Sequence, residues 1–242
     1  MTIGRLIGVG VGPGDPGLLT LNAIAALNAA DVTAHFAKAG NASNARTIAS
    51  KHFKPGVEEL SLLYPVTTEI PKEDASYRET LRAFYDSAAA SIAAHLDQAK
   101  VVAVIAEGDP LFYGSYMHLH VRLAPRYPTE VVAGVTGMSG CWSAIGEPIA
   151  QGDDVFTVLP GTLPEYELER RLADADAAVV MKIGRHLAKV RRALDRAGRL
   201  ERAIYVERGT MTNAAVMPLI DKLETYAPYF AIVLVPGWEA RP

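Results

Sequence analysis

The sequence predicts an α/β protein with two α/β domains, each built around a largely parallel sheet. Short apolar runs suited to strands buried on both faces, such as Val101–Ala106 and the start of the predicted strand at 177–183, alternate with stretches whose apolar residues recur at helical spacing. Such alternation is typical of βαβ units. It continues on both sides of residues 124–129, which contain two prolines. This segment predicts a boundary between domain 1–124 and domain 125–242.

The first half contains four predicted strands, each followed by a helical stretch or a loop. The strands cover residues 5–11, 32–36, 57–63 and 101–106, and the main helices cover 18–30, 44–53 and 77–99. The last of these helices carries an apolar stripe that we interpret as core, formed by Leu81, Phe84, Tyr85, Ala88, Ile92 and Leu96. Residues 64–74 have two prolines and no periodicity, which predicts a loop, and loops of this length are often functional or mobile.

The second half repeats the alternation. Predicted strands cover residues 130–135, 155–159, 177–183, 203–206 and 229–235. A glycine-rich turn and helix at 134–146, a helix at 164–173 and a basic helix at 185–197 separate them.

Composition excludes several classes of protein. Of the 242 residues, 50% are hydrophobic and 21% are charged, and the formal net charge is -3, which describes a globular protein with no basic surface for nucleic acid. The longest stretch without a charge, residues 131–146, is too short to cross a bilayer. The N-terminus lacks the features of a secretory signal. We therefore expect a cytoplasmic protein with no membrane partner.

Metal binding has little support in the sequence. A single cysteine, Cys141, excludes an internal disulfide and a multi-cysteine metal site. His118 and His120 lie two residues apart on the helix predicted after the strand at 101–106, and side chains two residues apart on a helix point in nearly opposite directions. We interpret them as surface or packing residues and expect no metal cofactor.

A glycine-rich stretch, GVGVGPGDPG, begins within the first predicted strand and continues into the loop that follows it. The dinucleotide pattern G-x-G-x-x-G fails because its last position falls on Pro13 or Asp15, and no Gly-Lys-Ser/Thr follows to form a P-loop. Two interpretations remain equally favoured: a loop that lets backbone approach a ligand closely, and a tight turn without a ligand.

The strand at 101–106 ends at Glu107-Gly-Asp-Pro110. Ligands of open parallel sheets bind beyond the carboxyl ends of strands, which favours a binding role for this turn. The alternative is an ordinary strand-to-helix turn in which Asp109 is a cap.

The basic helix at 185–197 has two explanations. Its charges form a solvated face, or Arg185 or a neighbour pairs with substrate carboxylates at a domain cleft.

Four stretches together resemble the tetrapyrrole (corrin and porphyrin) methylases. They begin at Gly10, Glu107, Ala133 and Ile204 and read GVGPGDPGLLTLNA, EGDPLFYGSYMHLH, AGVTGMSGCWSAIGEPIA and IYVERGTMTNAAV. Within the family, EGDPLFYGSYMHLHVRL and the later TVLPGTL at Thr157 most resemble the members that methylate carbon 20 of precorrin-2.

The resemblance implies a fold and a cofactor. It implies two α/β domains, S-adenosylmethionine in the cleft between them, a tetrapyrrole above that cleft, and a homodimer. The implied cofactor-binding residues are Pro13, Gly108, Asp109, Pro110, Phe112, Tyr113, Thr136, Gly137, Met181, Thr210 and Met211. The sequence departs from the common family pattern around Gly137 and Met211.

The chemistry implied by the resemblance needs no nucleophilic side chain. A carbon of the reduced macrocycle attacks the sulfonium methyl, so the protein mainly has to align the two. Asp15 and Tyr113 are the candidates for assisting proton loss, and Asp15 and Arg185 are the candidates for binding substrate. Alternatives are methylation of the cobalt-containing substrate or of another ring position, the related diphthine synthase activity, and a non-catalytic cofactor-binding module.

Overall fold

The computed structural model describes residues 3–65 and 74–237. The chain forms two compact units, Met1–Thr136 and Gly137–Pro242, each with its own sheet and flanking helices. This confirms the predicted two-part α/β fold. Most of the predicted loop at 64–74 lies outside the described residues.

The first unit is a five-stranded parallel sheet between two layers of helices, with strand order β3-β2-β4-β1-β5. The strands are β1 (Arg5–Gly10), β2 (Val32–Lys38), β3 (Glu58–Tyr64), β4 (Val101–Ala106) and β5 (Thr129–Val132). The helices are α1 (Leu21–Ala29), α2 (Asn44–Ala49), α3 (Ala75–Leu96) and α4 (Tyr116–Leu123).

Both faces of this sheet are buried, as the apolar runs predicted. Val102 and Val104 of β4 pack with α3 and α4, whereas Ala103 and Ile105 pack with α1 and α2. Successive side chains of a strand point to opposite faces, so a strand covered on both sides needs an unbroken apolar run. β4 lies at the centre of the sheet, and its carboxyl end is therefore held from both sides.

The predicted helix at 77–99 is observed as α3, which begins two residues earlier and ends at Leu96. The Asp74 carboxylate accepts a hydrogen bond of 2.8 Å from the backbone N–H of Ser76, which satisfies a donor that the first turn leaves without a helical partner. The apolar stripe of α3 packs on the sheet through Ile92 and Leu96, which confirms its interpretation as core.

The second unit has strand order β6-β7-β10-β8-β9. Its strands are β6 (Phe156–Pro160), β7 (Ala177–Met181), β8 (Ile204–Glu207), β9 (Ala215–Pro218) and β10 (Ala231–Val235), and its helices are α5 (Gly137–Ile145), α6 (Glu165–Asp174) and α7 (Leu187–Arg196). Helices α6 and α7 pack on one face of this sheet, and α5 packs on the other.

The pairing of these strands corrects the expectation of a second largely parallel sheet. β6 and β7 are parallel, but β10 runs antiparallel to both β7 and β8, and β8 runs antiparallel to β9. A parallel pair needs a crossover connection, usually a helix, and residues 208–214 between β8 and β9 contain none. The sequence analysis also missed β9, a four-residue strand that ends in proline.

The units divide later in the chain than the two prolines predicted. β5 begins at Thr129 and pairs in parallel with β1, so the strand after the prolines completes the first sheet. Pro125 and Pro128 therefore turn the chain from α4 into β5 within one unit, and the division falls after Thr136.

Replacing Gly8 by alanine is expected to lower the free energy of unfolding by about 1–3 kcal/mol, the usual cost of overpacking a filled core. A Cβ at Gly8 would overlap the ring of Tyr116, which is fully buried. Urea unfolding measures the loss. Because the two residues share one space, Gly8→Ala with Tyr116→Leu should lose less than the sum of the two single changes.

The control for this prediction is Gly184→Ala, where the added carbon would lie 3.8 Å from its nearest neighbour. It should change the free energy of unfolding by less than about 0.5 kcal/mol. Similar losses in Gly8→Ala and Gly184→Ala would show that the Tyr116 contact is not the cause.

Candidate functional site

In the first unit, three glycine-containing segments meet beyond the ends of β4, β1 and β5. These parallel strands are neighbours, so their carboxyl ends share one edge of the sheet. Beyond that edge, the N–H of Gly108 donates to the carbonyl of Gly12 at 2.8 Å, and the N–H of Gly12 donates to the carbonyl of Gly108 at 3.3 Å. The φ angle is 78° at Gly12 and 64° at Gly108, both in the region that favours glycine.

Gly134, which follows β5, lies against the same segments. A Cβ on Gly134 would overlap the carbonyl oxygen of Gly108 and would lie 2.8 Å from the Cα of Gly10. A Cβ on Gly10 would in turn lie 2.6 Å from the Cα of Gly134. These glycines therefore allow three segments of backbone to pack directly on one another.

Asp109 joins two of these segments through both oxygens of its carboxylate. Oδ1 accepts a hydrogen bond of 2.9 Å from the N–H of Leu111, within the same turn. Oδ2 accepts one of 3.1 Å from the N–H of Gly134, beyond β5. Asp109 thus caps its own turn, which is the alternative that the sequence left open, and it also holds the chain that leads to Thr136.

The segment after Asp109 presents apolar and aromatic side chains to solvent. Leu111 and Tyr113 are 48% and 45% exposed, and the rings of Phe112 and Tyr113 meet edge to face with centroids 4.9 Å apart. Tyr113 has φ 55°, which is uncommon for a residue other than glycine and is found more often at functional sites.

Pro13 and Asp15 lie on the segment that follows Gly12. Asp15 is exposed, and its Oδ1 accepts a hydrogen bond of 2.7 Å from the N–H of Gly17, which caps a short 3-10 turn at Pro16–Leu18. Asp15 and Tyr113 are the two candidates for assisting proton loss. Because Gly12 is bonded to Gly108, the segments that carry them are joined by backbone hydrogen bonds.

Glu107 is a residue of this edge that the sequence analysis did not single out. Its carboxylate accepts hydrogen bonds from the side-chain amide of Asn44 and the N–H of Ala45, at the start of α2. Burial raises the pKa of Glu107, and the two hydrogen bonds oppose that shift. Ser43, the N-cap of α2, marks the start of this helix in the sequence, but nothing local indicates which strand end it meets.

In the second unit, the predicted residues lie around α5 and the ends of β7 and β8. Gly137 is the first residue of α5, and Met181 ends β7 in the core that α5 covers. Gly209, which precedes Thr210 and Met211, donates its N–H to the Sγ of Cys141 in α5. Burial raises the pKa of the Cys141 thiol to about 11.

Arg185 lies apart from these residues, in a 3-10 turn at Gly184–His186. It is exposed, and no hydrogen bond or ion pair to another described residue is present for its side chain. By contrast, Arg192 and Arg196 of α7 both pair with Glu165 of α6, at 2.6 Å and 3.3 Å. The solvated, structural interpretation therefore fits Arg192 and Arg196, whereas Arg185 is available for a ligand.

The two histidines of α4 pack against aromatic rings. His118 stacks on Tyr85 with ring centroids 4.2 Å apart, and the Nδ1 of His120 lies 3.3 Å from the hydroxyl of Tyr116. Among the residues that the structure describes, no group of three or more His, Cys, Asp or Glu is arranged to hold a metal ion. Within the same residues, no helix is both long enough and apolar enough to cross a membrane.

In open parallel α/β sheets, ligands bind beyond the carboxyl ends of the strands, which is where this glycine-built edge lies. The family model for tetrapyrrole (corrin/porphyrin) methylases matches residues 5–224 of the chain. The chain therefore belongs to this family of methylases, as the four sequence stretches indicated.

Individual relatives agree with the family. The chain is 60% identical over 240 residues to the precorrin-2 C(20)-methyltransferase of Sinorhizobium sp. The aligned region covers 99% of this chain and 98% of that protein. It is 26% identical to the cobalt-precorrin-2 C(20)-methyltransferase of Salmonella typhimurium, over 98% of each. The fold resembles that of uroporphyrin-III C-methyltransferase from Thermus thermophilus complexed with S-adenyl homocysteine. The TM-score is 0.67 and the sequence identity is 24%, over 96% of this chain and 92% of that one.

Asp109→Ala is expected to lower the free energy of unfolding by about 1–3 kcal/mol, because two backbone donors lose a charged acceptor. It should also weaken binding of S-adenosylmethionine, measured by calorimetry, since the segments around Gly108 and Gly134 are no longer tied together. Asp109→Asn keeps one acceptor oxygen and should lie between wild type and Asp109→Ala. Unchanged stability and unchanged affinity in Asp109→Ala would contradict this role.

Glu107→Gln is expected to change the pH dependence of stability. Since the folded pKa of Glu107 is raised, the stability contributed by its neutral form is complete below the ordinary glutamate pKa of about 4.3 and is lost as pH rises through the folded pKa. Glutamine stays neutral and, like the protonated carboxyl group, keeps one carbonyl oxygen as an acceptor. Urea unfolding should therefore give equal stabilities near pH 4 and a more stable variant near pH 8, and a variant less stable at pH 8 would contradict the assignment.

Proposed function

We propose that the protein transfers a methyl group from S-adenosylmethionine to carbon 20 of precorrin-2, giving precorrin-3A in cobalamin biosynthesis. The observation that carries this proposal is the 60% identity to the Sinorhizobium enzyme along 99% of the chain. The lower identity to the Salmonella enzyme, whose name specifies cobalt-precorrin-2, favours the metal-free substrate.

The glycine-built edge of the first unit is suited to S-adenosylmethionine, which supplies an electrophilic methyl group when bound. Gly108, Asp109 and Pro110 offer backbone atoms in a turn whose shape Asp109 fixes. Leu111 and Tyr113 offer exposed apolar surface beside that turn. Polar backbone atoms beside apolar side chains suit a ligand that has polar and apolar parts.

Other contacts to the cofactor are proposed from the family resemblance. They involve Pro13 and Phe112 near the turn, and also Thr136, Gly137, Met181, Thr210 and Met211. The bond from Gly209 to Cys141 supports the proposed role of Thr210, since it anchors the residue just before it.

Substrate contacts and proton transfer are assigned to three residues. Attack of a macrocycle carbon on the methyl group breaks the bond between that methyl group and sulfur and leaves a proton on the attacking carbon. Asp15 and Tyr113 are proposed to assist the loss of this proton. Asp15 and Arg185 are proposed to contact the substrate, and exposed Arg185 can form bidentate bonds to a carboxylate. We also propose that the enzyme works as a cytoplasmic homodimer and requires no protein-bound metal.

The proposed activity is tested by incubating purified protein with precorrin-2 and S-adenosylmethionine labelled with ¹³C in its methyl group. One methyl group should be added per macrocycle, and NMR should place it at carbon 20. A methyl at another carbon, or turnover of the cobalt-containing substrate alone, would identify another methylase of the family. Calorimetric binding of S-adenosylmethionine without turnover of any tetrapyrrole would identify a binding module instead.

A further inference from the structure

The edge of the second unit's sheet at the ends of β7 and β8 is cationic, although the whole chain has a formal net charge of -3. Lys182 follows β7 directly, Arg185 lies in the next turn, and Arg208 follows β8 directly. Residues 181–186 and 207–214 contain one acidic residue, Glu207. The Oε2 of Glu207 accepts a hydrogen bond of 2.8 Å from the hydroxyl of Tyr205, and its Oε1 pairs with Arg208. Lys182 and Arg185 are both exposed.

The sheet topology places these cations on one edge. β7 and β8 both run antiparallel to β10, which lies between them, so β7 and β8 point the same way. Neighbouring strands are about 4.8 Å apart, which puts the ends of β7 and β8 about 10 Å from each other. Tyr229, just before β10 at this edge, is 84% exposed and offers a flat aromatic surface between the two ends.

Lys182 has an unusual backbone conformation that the neighbouring turn supports. Its φ is 56°, which is costly for lysine and persists only when the surroundings hold it. The N–H of Gly161 donates to the carbonyl of Met181 at 2.6 Å, and a Cβ on Gly161 would lie 3.3 Å from the carbonyl oxygen of Lys182. Gly161 belongs to TVLPGTL, a motif to which the proposed reaction assigns no role.

We propose that Lys182 binds a carboxylate of the tetrapyrrole substrate together with Arg185, and that the Pro160-Gly161 turn holds Lys182 in position. The identity of the ligand rests on the proposed function. Two exposed cations beside an exposed aromatic ring match a planar macrocycle whose rim carries carboxylates, because the cations pair with the rim and the ring contacts the flat face.

The inference is tested by steady-state kinetics of Lys182→Asn and Arg185→Gln. Each should raise the KM for precorrin-2 about 10-fold or more, the effect of losing one charge-assisted contact, while the KM for S-adenosylmethionine stays unchanged. Asparagine tolerates the left-handed conformation, so Lys182→Asn should keep its stability. Lys182→Arg should largely retain the wild-type KM. Added salt should raise the KM of wild type more than that of Lys182→Asn.

Two further variants separate position from charge. Arg170→Gln removes an exposed cation of α6, which pairs with Glu167, and should leave the KM for precorrin-2 unchanged. Gly161→Ala should raise that KM without a matching loss of kcat, since its Cβ would lie 3.1 Å from the carbonyl of Met181 and would shift the backbone before Lys182.

The outcomes separate this inference from the proposed function. If wild type methylates precorrin-2 and both charge variants keep its KM within about twofold, the inference is wrong and the function stands. If wild type methylates no tetrapyrrole, the inference is tested by measuring how tightly each variant binds uroporphyrin, from the quenching of uroporphyrin fluorescence. Weaker binding by Lys182→Asn and Arg185→Gln than by Arg170→Gln then supports it, and equal binding by all three overturns it.

Discussion

At Gly10, the last residue of β1, and at Gly134, beyond β5, the backbone lies so close to the β4 turn at Gly108 that neither Gly10 nor Gly134 has room for a Cβ. This close approach lets the carboxylate of Asp109 reach the N–H of Gly134 while it also closes its own turn. The exposed ring of Tyr113 is carried on the segment that Asp109 shapes. The geometry of the candidate site in the first unit therefore depends on backbone packing, and that packing sets the positions of its side chains.

Among the residues that the structure describes, positive φ at residues other than glycine is concentrated beyond strand ends. Three of the residues other than glycine with positive φ are Tyr113, Lys182 and Arg208, which follow β4, β7 and β8. Backbone hydrogen bonds support the conformations of Lys182 and Arg208. The N–H of Gly161 donates to the carbonyl of Met181, which precedes Lys182, and the N–H of Arg208 donates to the carbonyl of Phe230 at 2.8 Å. Ala99, in the turn between α3 and β4, is the exception. Conformations that the surroundings must hold are expected where side-chain direction matters for binding.

The sequence was most informative where local pattern decides structure. Apolar runs identified β4 and β7 because a strand covered on both faces has no polar positions. The pattern could not give the direction of β10, since an antiparallel strand buried on both faces is just as apolar, and four-residue β9 is too short to show periodicity. In the site, glycine positions were readable, but the contacts of Asp109 with Gly134 and of Glu107 with Asn44 join residues far apart in the chain. Such contacts are set by tertiary packing and have no local signal.

The failure of the dinucleotide pattern in the first loop has a structural reason. In that pattern the glycines bring the start of a helix directly to the end of the first strand, where its N–H groups meet a diphosphate. Here a 3-10 turn at Pro16–Leu18 intervenes, and α1 begins at Leu21 with its first turn capped by Thr20, whose Oγ1 accepts a hydrogen bond of 3.1 Å from the N–H of Ala23. Gly12 bonds instead to Gly108. The loop is therefore built to pack against the β4 turn, which suits a reaction that depends on aligning two bound molecules more than on neutralising a phosphate.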